Sequence, residues 1–358
     1  MTDSAATTAP TFAEKTTCLK QLLSGLDCPA PEPFDSPASG YRMRAEFRIW
    51  HEDGSAHYAM HRRGEKRPYT LTEFPIGYPL LRDLMSPLLA AINSEPLLSR
   101  KLFGVEFLTG LSGDALITLL YHRPLENDWE AVAKPLQQRL GAAIIGRSRK
   151  QKVVLSRDFI EETLVVNERS YYQQQVENSF TQPNAVINQK MLSWAAAQCK
   201  DSAGDLLELY CGNGNFTSVL ASQFKRILAT EISKTSVRSA EHNFARNQID
   251  NVTVVRMSSE EISQALAGVR PFRRLAAIDL PSYSFSTLLV DPPRAGLDAG
   301  TLALAARFER ILYISCNPET LARNLRQLDS SHRIEALAAF DQFPGTAHLE
   351  SGALLIRR

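Results

Sequence analysis

Arg310-Ile311-Leu312-Tyr313-Ile314-Ser315-Cys316-Asn317-Pro318 is the stretch from which the fold can be worked out. Residues 311–314 are a short run of apolar, β-branched and aromatic residues, which indicates a strand buried on both faces. Pro318 cannot continue that strand, because proline has no amide hydrogen to donate. Cys316 is therefore expected at the carboxyl end of a strand, where open α/β sheets bind their ligands. A single cysteine after an apolar run is most often a small buried hydrophobic residue, so its neighbours decide its role.

The residues around this stretch, from about residue 169 to the end, alternate between apolar strand-like runs and helical runs. Such alternation is typical of a doubly wound α/β sheet that is mainly parallel. The seven expected strands are residues 206–210, 227–230, 252–256, 287–290, 311–315, 334–340 and 352–356, and a helix is expected over 184–199. The last two strands are joined through Phe343-Pro344-Gly345 without a helix, which predicts an antiparallel edge.

The first half of the chain has a different organisation, built on hairpins. In residues 41–50, apolar residues alternate with polar ones, so one face of a strand is apolar and the other carries Arg42, Arg44 and Arg48. The strands of the two expected hairpins are 41–50 with 57–61, turning at Asp53-Gly54, and 104–109 with 115–122. Helices are expected over 14–26 and 128–140. The sequence thus predicts an amino-terminal α+β domain over 1–180 and an α/β domain over 181–358.

Two segments of the first half are basic. Residues 61–67 are rich in arginine and lysine, and residues 134–157 contain seven basic residues and no acid. Each segment is either a solvated face or a surface that contacts the phosphates of a nucleic acid, and the sequence leaves both readings open. Phe103 and His122 could stack on a base or pack within their hairpin.

Composition limits the class of protein. The chain has 358 residues and a net charge of +1, so two ordinary domains are expected, and any nucleic acid must be met by a local patch. The five cysteines include no Cys-x-x-Cys pair, which argues against a zinc site or an iron–sulfur cluster, and their odd number argues against a disulfide framework. The sequence has neither the apolar core of a signal peptide nor a run long enough to span a membrane, so we expect a cytoplasmic protein.

The first strand of the α/β half leads into Leu209-Tyr210-Cys211-Gly212-Asn213-Gly214-Asn215. Gly212 and Gly214 allow this turn to pass close to a ligand. Glu231 ends the next strand, where an acid can accept both hydroxyls of a ribose. The turn lacks the third glycine of a dinucleotide fingerprint, so it suits an adenosine without a pyrophosphate, and S-adenosylmethionine is the expected cofactor. Asp291, in Asp-Pro-Pro-Arg after the fourth strand, would lie beside the methyl donor.

These motifs together resemble those of the RNA uracil-5-methyltransferases, in particular the bacterial branch that acts on tRNA. The segments that carry the resemblance are 41–48, 175–184, 209–215, 291–294 and 315–318, with the late Glu350. It covers nearly the whole chain apart from the first dozen or so residues. Related enzymes of ribosomal RNA often carry an extra β-barrel and an iron–sulfur cysteine cluster, and the sequence has neither.

The resemblance implies methyl transfer from S-adenosylmethionine to C5 of the T-loop uridine at position 54 of tRNA. It assigns Cys316 as the nucleophile and Glu350 as the base. The residues that it assigns to the cofactor are Gln182, Tyr210, Gly212, Asn215, Glu231 and Asp291. The candidate RNA-binding residues are Arg42, Arg44, Arg48, Phe103, His122 and Arg294. We expect a monomer that binds the tRNA T arm, with no metal and no membrane partner.

The chemistry of uracil supports these roles. C5 is a poor nucleophile until a thiolate adds at C6, so the cysteine would need a lowered pKa, as at a strand-to-helix turn. A base must then remove the C5 proton. Three alternatives stay open: the same chemistry on ribosomal RNA, an amino-group methyltransferase, and an RNA-folding protein whose methylation is incidental. The second has no use for Cys316, and Arg294 stands where its motif has an aromatic residue.

Overall fold

A computed structural model describes residues 9–61, 67–200 and 202–358. The chain forms two compact units. The carboxyl unit contains the described residues up to Ser36, Val165–Gln173 and Val186–Arg358, and the hairpin unit contains Pro37–Leu164 and Gln174–Ala185. This division differs from the predicted boundary at residue 180, because the amino-terminal helix belongs to the carboxyl unit. Leu19 and Leu23 are almost fully buried in the core of that unit.

The helices and strands are numbered in chain order. The helices are α1 (Phe12–Leu22), α2 (Pro79–Ser94), α3 (Pro96–Ser99), α4 (Asn127–Leu140), α5 (Ala185–Gln198), α6 (Asn215–Leu220), α7 (Lys234–Arg246), α8 (Ser259–Leu266), α9 (Ala299–Ala305) and α10 (Pro318–Leu328). The strands are β1 (Glu32–Phe34), β2 (Arg44–Glu52), β3 (Ser55–Met60), β4 (Tyr69–Leu71), β5 (Leu102–Thr109), β6 (Ala115–Tyr121), β7 (Ala143–Ser148), β8 (Gln151–Val154), β9 (Phe159–Val166), β10 (Arg169–Val176), β11 (Asp205–Leu209), β12 (Ile227–Glu231), β13 (Val252–Arg256), β14 (Phe285–Val290), β15 (Arg310–Ser315), β16 (His332–Phe340) and β17 (Glu350–Arg357).

The carboxyl unit is built on an eight-stranded sheet in the order β1-β16-β17-β15-β14-β11-β12-β13. Strands β11 to β15 pair in parallel, and β17 pairs antiparallel with both β15 and β16. The predicted doubly wound α/β class and the antiparallel edge are therefore confirmed. The sequence did not indicate the eighth strand, β1, which pairs in parallel with β16. It has only three residues and lies in a proline-rich connector, so no periodic pattern marks it.

Burial of both faces of β15 explains why its sequence is a continuous apolar run. Ile311, Leu312, Tyr313 and Ile314 are all 0% exposed, since β15 lies between β14 and β17 and both of its faces are covered. Strand β11 is likewise buried at every position. These two central strands end at the same edge of the sheet, and this edge carries the motifs found in the sequence.

The hairpin unit contains a seven-stranded sheet in the order β4-β3-β2-β5-β6-β7-β8. Both predicted hairpins are confirmed, as β2 pairs with β3 and β5 with β6. The first turns at Asp53 and Gly54, whose φ angles of 50° and 76° suit a tight hairpin turn. The sequence did not indicate β7 and β8, which form within the basic stretch 134–157.

Acidic residues from other parts of the chain neutralise much of this basic stretch. Arg147 donates to Glu177 at 2.7 Å, and Lys152 lies 2.6 Å from Asp158. Lys134 lies 3.1 Å from Glu130, and Arg157 pairs with Asp114. These four cations therefore have acidic partners within the hairpin unit. In the other basic segment, residues 62–66 lie outside the described residues.

Two general features of the described residues bear on function. None of the helices within residues 9–61, 67–200 and 202–358 is both long and apolar enough to cross a membrane. In the same ranges, no group of three or more His, Cys, Asp and Glu side chains is arranged to hold a metal ion.

Candidate active site

Cys316 stands between the end of β15 and the start of α10. Asn317 is the residue that caps the helix: its side chain accepts a hydrogen bond from the Glu319 amide at 3.1 Å. Pro318 occupies the first helical position, where its missing amide hydrogen costs nothing. Ser315 donates from Oγ to the Asn317 carbonyl at 3.1 Å. The turn around Cys316 is thus rigid, and it leaves the thiol half-buried at the carboxyl edge.

The Asp-Pro-Pro-Arg loop follows β14, the strand beside β15. Asn317 donates from its side-chain amide to the carbonyl oxygen of Arg294 at 3.0 Å. This bond ties the loop to the turn that carries Cys316. Asp291 therefore comes to the carboxyl edge in the strand next to the cysteine, as the sequence predicted.

Strand register brings Glu350 to the same place. Ser351 of β17 pairs with Ser315 of β15, so Glu350 is one position beyond the last pair, as is Cys316 on its own strand. Glu350 is only 4% exposed. The antiparallel direction of β17 is essential, because it makes the start of that strand meet the end of β15.

The electrostatics of this cluster differ from the expectation for Cys316. The pKa of the thiol is raised to about 11, first because burial disfavours the thiolate and then because the carboxylates of Glu350 and Asp291 repel it. The Arg294 guanidinium opposes this rise. The expected lowering of the pKa is therefore wrong for the free protein, because burial of the thiol, together with the two nearby acids, outweighs the strand-to-helix turn.

The two carboxyl groups are perturbed in the same direction. Burial raises the pKa of Asp291 to about 7. Burial, with repulsion from Asp291, also raises the pKa of Glu350 well above its usual value. A carboxylate with a raised pKa binds a proton more strongly than an ordinary one, and the pKa of about 7 suits Asp291 to proton transfer near neutral pH.

The glycine turn and Glu231 are adjacent, as predicted. Glu231 Oε2 accepts a hydrogen bond from the Gly212 amide at 3.1 Å, and Oε1 accepts one from Ser233 at 2.7 Å. Gly212 has a φ of 58°, and a Cβ placed there would have no atom within 4 Å. The space above the turn is open, and the carboxylate beside it still has lone pairs for a ribose. The acceptor oxygens of Glu231 and the open space over Gly212 therefore fit an adenosine.

Other residues of the turn are held by the protein itself. Tyr210 donates from its hydroxyl to Ser259 Oγ at 2.7 Å and has a φ of 63°. Asn215 accepts from Gln173 at 3.0 Å and exchanges hydrogen bonds with Asn188. These contacts orient Tyr210 and Asn215 at the edge where the cofactor is expected.

The remaining candidates belong to the hairpin unit. Gln182 is half-buried, next to Pro183, whose carbonyl accepts a hydrogen bond from Met43. Phe103 and His122 stack on each other, with ring centroids 3.9 Å apart and an interplanar angle of 13°. They line a groove of about 470 Å³ together with Arg48. The structure thus brings together two aromatic rings and a cation on one exposed surface.

Arg42 and Arg44 have partners within the hairpin unit. Arg42 Nε donates to the Arg44 carbonyl at 2.8 Å, and Arg44 Nη1 donates to the Ser179 carbonyl at 2.8 Å. Arg48 is the exposed member of the three. Two of the three arginines on this predicted RNA-binding face thus already have partners. Fewer of them are available for phosphate contacts than the alternating sequence suggested.

Sequence reasoning missed two residues of the carboxyl unit. Glu208 lies within β11 and is 2% exposed, and burial raises its pKa to about 8, with a further contribution from Asp291. An acid in the apolar run Leu-Leu-Glu-Leu was the available signal. Lys15 of α1 is 5% exposed and bonds to the segment before Glu350. No local pattern marks it, since its partners are more than 300 positions away.

Comparison with known proteins identifies the family. The tRNA (Uracil-5-)-methyltransferase model matches residues 7–358. The chain is 56% identical over 351 residues to a tRNA/tmRNA (uracil-C(5))-methyltransferase of Stutzerimonas stutzeri (strain A1501), covering 98% of this chain and 97% of that protein. It is 57% identical over 340 residues to a protein of the same name from Cellvibrio japonicus (strain Ueda107), covering 95% and 93% respectively.

A solved structure shares the fold. The Pyrococcus abyssi tRNA (uracil-54, C5)-methyltransferase, crystallised in complex with S-adenosyl-L-homocysteine, aligns with a TM-score of 0.72 at 22% identity, covering 96% of this chain and 82% of that one. The resemblance seen in the sequence motifs is therefore confirmed. The chain belongs to the tRNA (uracil-5-)-methyltransferase family.

Proposed function

We propose that this protein methylates C5 of the T-loop uridine at position 54 of tRNA, through a covalent bond between Cys316 and C6 of the base. Methylation of uracil C5 in tRNA is the activity for which its family is named. The observation that carries the finer proposal is the convergence of Cys316, Asp291 and Glu350 at one edge of the sheet. This chemistry requires a nucleophile and a base, and the edge contains a cysteine and two carboxyl groups whose pKa values are raised.

Cys316 is the nucleophile in this proposal. The thiol releases its proton to solvent, the thiolate adds to C6 to form a carbon–sulfur bond, and the electron pair of the C5–C6 double bond moves towards C5 and the C4 carbonyl. The resting thiol, with a pKa of about 11, is mostly protonated. This limits side reactions of the cysteine, since only the thiolate is reactive.

Glu350 is the base. After C5 has acquired the methyl group, that carbon still carries its hydrogen. Glu350 takes this proton, the C5–H electron pair restores the C5–C6 double bond, and the carbon–sulfur bond breaks to release the thiolate. Its burial supports the role, because a carboxylate with a raised pKa accepts a proton more readily than a solvated one.

S-adenosylmethionine would be held by the glycine turn and the residues beside it. When bound, it supplies the electrophilic methyl group. Glu231 would accept the ribose hydroxyls, and the open space over Gly212 would admit the adenosine. Tyr210, Asn215 and Asp291 complete the proposed set in the carboxyl unit.

The hairpin unit would bind the T arm. A base within a folded tRNA loop is out of reach of Cys316, so the target uridine must leave its stack. The stacked pair of Phe103 and His122 offers an aromatic surface for unstacked bases, and Arg48 beside it offers a phosphate contact. The curated relatives are named for tmRNA as well as tRNA, so we include tmRNA as a second substrate.

The test uses a tRNA transcript that contains 5-fluorouridine. Fluorine at C5 cannot be removed as a proton, so the wild-type protein should remain covalently attached to methylated RNA on a denaturing gel. Cys316→Ala should give no complex while it still binds tRNA. Cys211 is the matched control cysteine, because it is 5% exposed in the cofactor turn, and Cys211→Ser should retain the complex. A complex that persists in Cys316→Ala would refute the nucleophile, and attachment outside position 54 would refute the T-loop specificity.

A further inference from the structure

A buried lysine from the amino-terminal helix reaches the segment that precedes Glu350. Lys15 of α1 donates from Nζ to Asp341 Oδ1 at 2.7 Å, to the Phe343 carbonyl at 2.9 Å and to the His348 carbonyl at 3.0 Å. The ammonium group has three hydrogens, and three acceptors surround it. The side chains of Lys15 and Asp341 are 2% and 8% exposed.

The position of these acceptors matters more than their number. Residues 341–349 connect β16 to β17, and the three acceptors belong to both ends of this connection. His348 is two residues before Glu350. Lys15 therefore bonds to both ends of the connection and fixes the direction from which the chain enters β17.

The same connection contacts the other two loops of the site. Arg294 Nη2 lies 3.1 Å from His348 Nδ1, and the Arg294 carbonyl accepts a hydrogen bond from Asn317, next to Cys316. A continuous set of contacts thus runs from α1 through the loop of Glu350 to the turn of the nucleophile. All of these residues lie in the carboxyl unit.

Energetics argue that the Lys15–Asp341 pair has a role beyond stability. Removing two charges from water is costly, and a buried ion pair usually contributes little more to stability than well-packed apolar residues would. Such a pair does, however, impose one geometry, because each partner is strongly penalised if it loses the other. A pair of this kind in a catalytic loop is suited to fixing the position of a neighbouring group.

We infer that Lys15 is a positioning residue for the proton-abstraction step, which it serves by holding the 341–349 connection so that Glu350 faces the C5 proton. The inference rests on the proposed role of Glu350 as the base. Lys15 itself touches none of the reacting atoms. It makes α1 a part of the catalytic apparatus of the carboxyl unit.

The inference predicts a specific defect. In Lys15→Met the connection loses its three bonds and Glu350 should be displaced, while the hydrogen bonds from Ser315 to Asn317 and from Asn317 to Arg294 should still hold the turn of Cys316. Addition and methyl transfer should proceed, and elimination should slow by about tenfold to a hundredfold, the effect of a misplacement of about 1 Å. The variant should therefore accumulate a covalent complex with ordinary tRNA whose base already carries the methyl group.

Two further variants separate positioning from stability. Lys15→Met leaves Asp341 buried and unpaired, so it will also destabilise the fold. The double variant Lys15→Met/Asp341→Asn removes both charges and should recover much of that stability, yet it should still accumulate the complex. Arg226→Met is the control: the Arg226 side chain, 34% exposed, bonds at 2.8 Å to Asp205, whose side chain is 2% exposed. Asp205 begins β11 and Arg226 immediately precedes β12, so this pair lies at the amino edge of the sheet. It should lose stability without forming the complex.

The experiment quantifies the methylated covalent complex with unfluorinated tRNA for these variants and for Glu350→Gln, alongside urea unfolding. We expect the complex to form in Glu350→Gln and in both Lys15 variants, but not in Arg226→Met. Its presence in Glu350→Gln and absence from both Lys15 variants would overturn the positioning role and leave the base assignment intact. Its absence from Glu350→Gln would overturn the base assignment and this inference with it. Its formation by Arg226→Met would show that lost stability alone explains the effect.

Discussion

Replacing Glu208 by glutamine should change the pH dependence of stability. Glu208 lies within β11, and its carboxylate oxygen Oε2 has no hydrogen-bond partner among the described residues. Burial, aided by the nearby Asp291, raises its pKa from 4.5 to about 8. Glutamine has nearly the same shape and no charge, so Glu208→Gln removes the titration with little change in packing.

The direction and size follow from the pKa. The folded protein binds this proton more tightly than the unfolded chain, so the favourable contribution is complete below the unfolded pKa and is lost as the pH rises to the folded value. One unit of pKa difference corresponds to about 1.4 kcal/mol, so the wild type should lose about 4 kcal/mol between about pH 4.5 and about pH 8 through this residue. Glu208→Gln should avoid that loss and be the more stable protein at pH 8.

The assay is urea unfolding followed by circular dichroism at several pH values across that window. The difference in unfolding free energy between Glu208→Gln and the wild type should grow steadily with pH. Glu335→Gln is the matched control, because Glu335 is an exposed glutamate on β16 of the same sheet. Parallel curves for Glu208→Gln and the wild type would refute the reasoning and show that Glu208 is charged in the folded protein.

Three further predictions concern the site. Glu231→Ala should raise the dissociation constant for S-adenosylmethionine by about tenfold to a hundredfold, since it loses charged hydrogen bonds, and calorimetry with an unchanged constant would contradict the assignment. Replacing Arg42, Arg44 and Arg48 by alanine should weaken tRNA binding and reduce its salt dependence by about one unit of slope per lost phosphate contact; an unaltered slope would identify a merely solvated face. Alkylation of Cys316 by iodoacetamide, followed by peptide mass spectrometry, should accelerate as the pH rises towards about 11, because the thiolate is the reactive form. A rate that is already maximal at neutral pH would disprove the raised pKa.

Local patterns in the sequence were sufficient for the main elements of the fold. Apolar runs such as Ile311 to Ile314 marked the central strands, because a strand covered on both faces admits few polar residues. The Asp53-Gly54 turn predicted its hairpin, since only certain residues adopt positive φ readily. The three-residue β1 and β4 and the four-residue β8 were missed, because they are too brief to show a period, and the sequence analysis also missed β7, β9 and β10.

The sequence by itself determined which residues stand at the carboxyl ends of the strands, and hence that Cys316, Asp291 and Glu231 share one edge. Only the tertiary structure decided what surrounds them. Strand register placed Glu350 level with Cys316. Burial of the thiol, and then the neighbouring carboxylates, raised its pKa where the local turn had suggested a lowered one. The long-range contact of Lys15 was likewise invisible in the sequence. Periodicity is a property of neighbouring residues, whereas burial and charge repulsion depend on groups that only folding brings together.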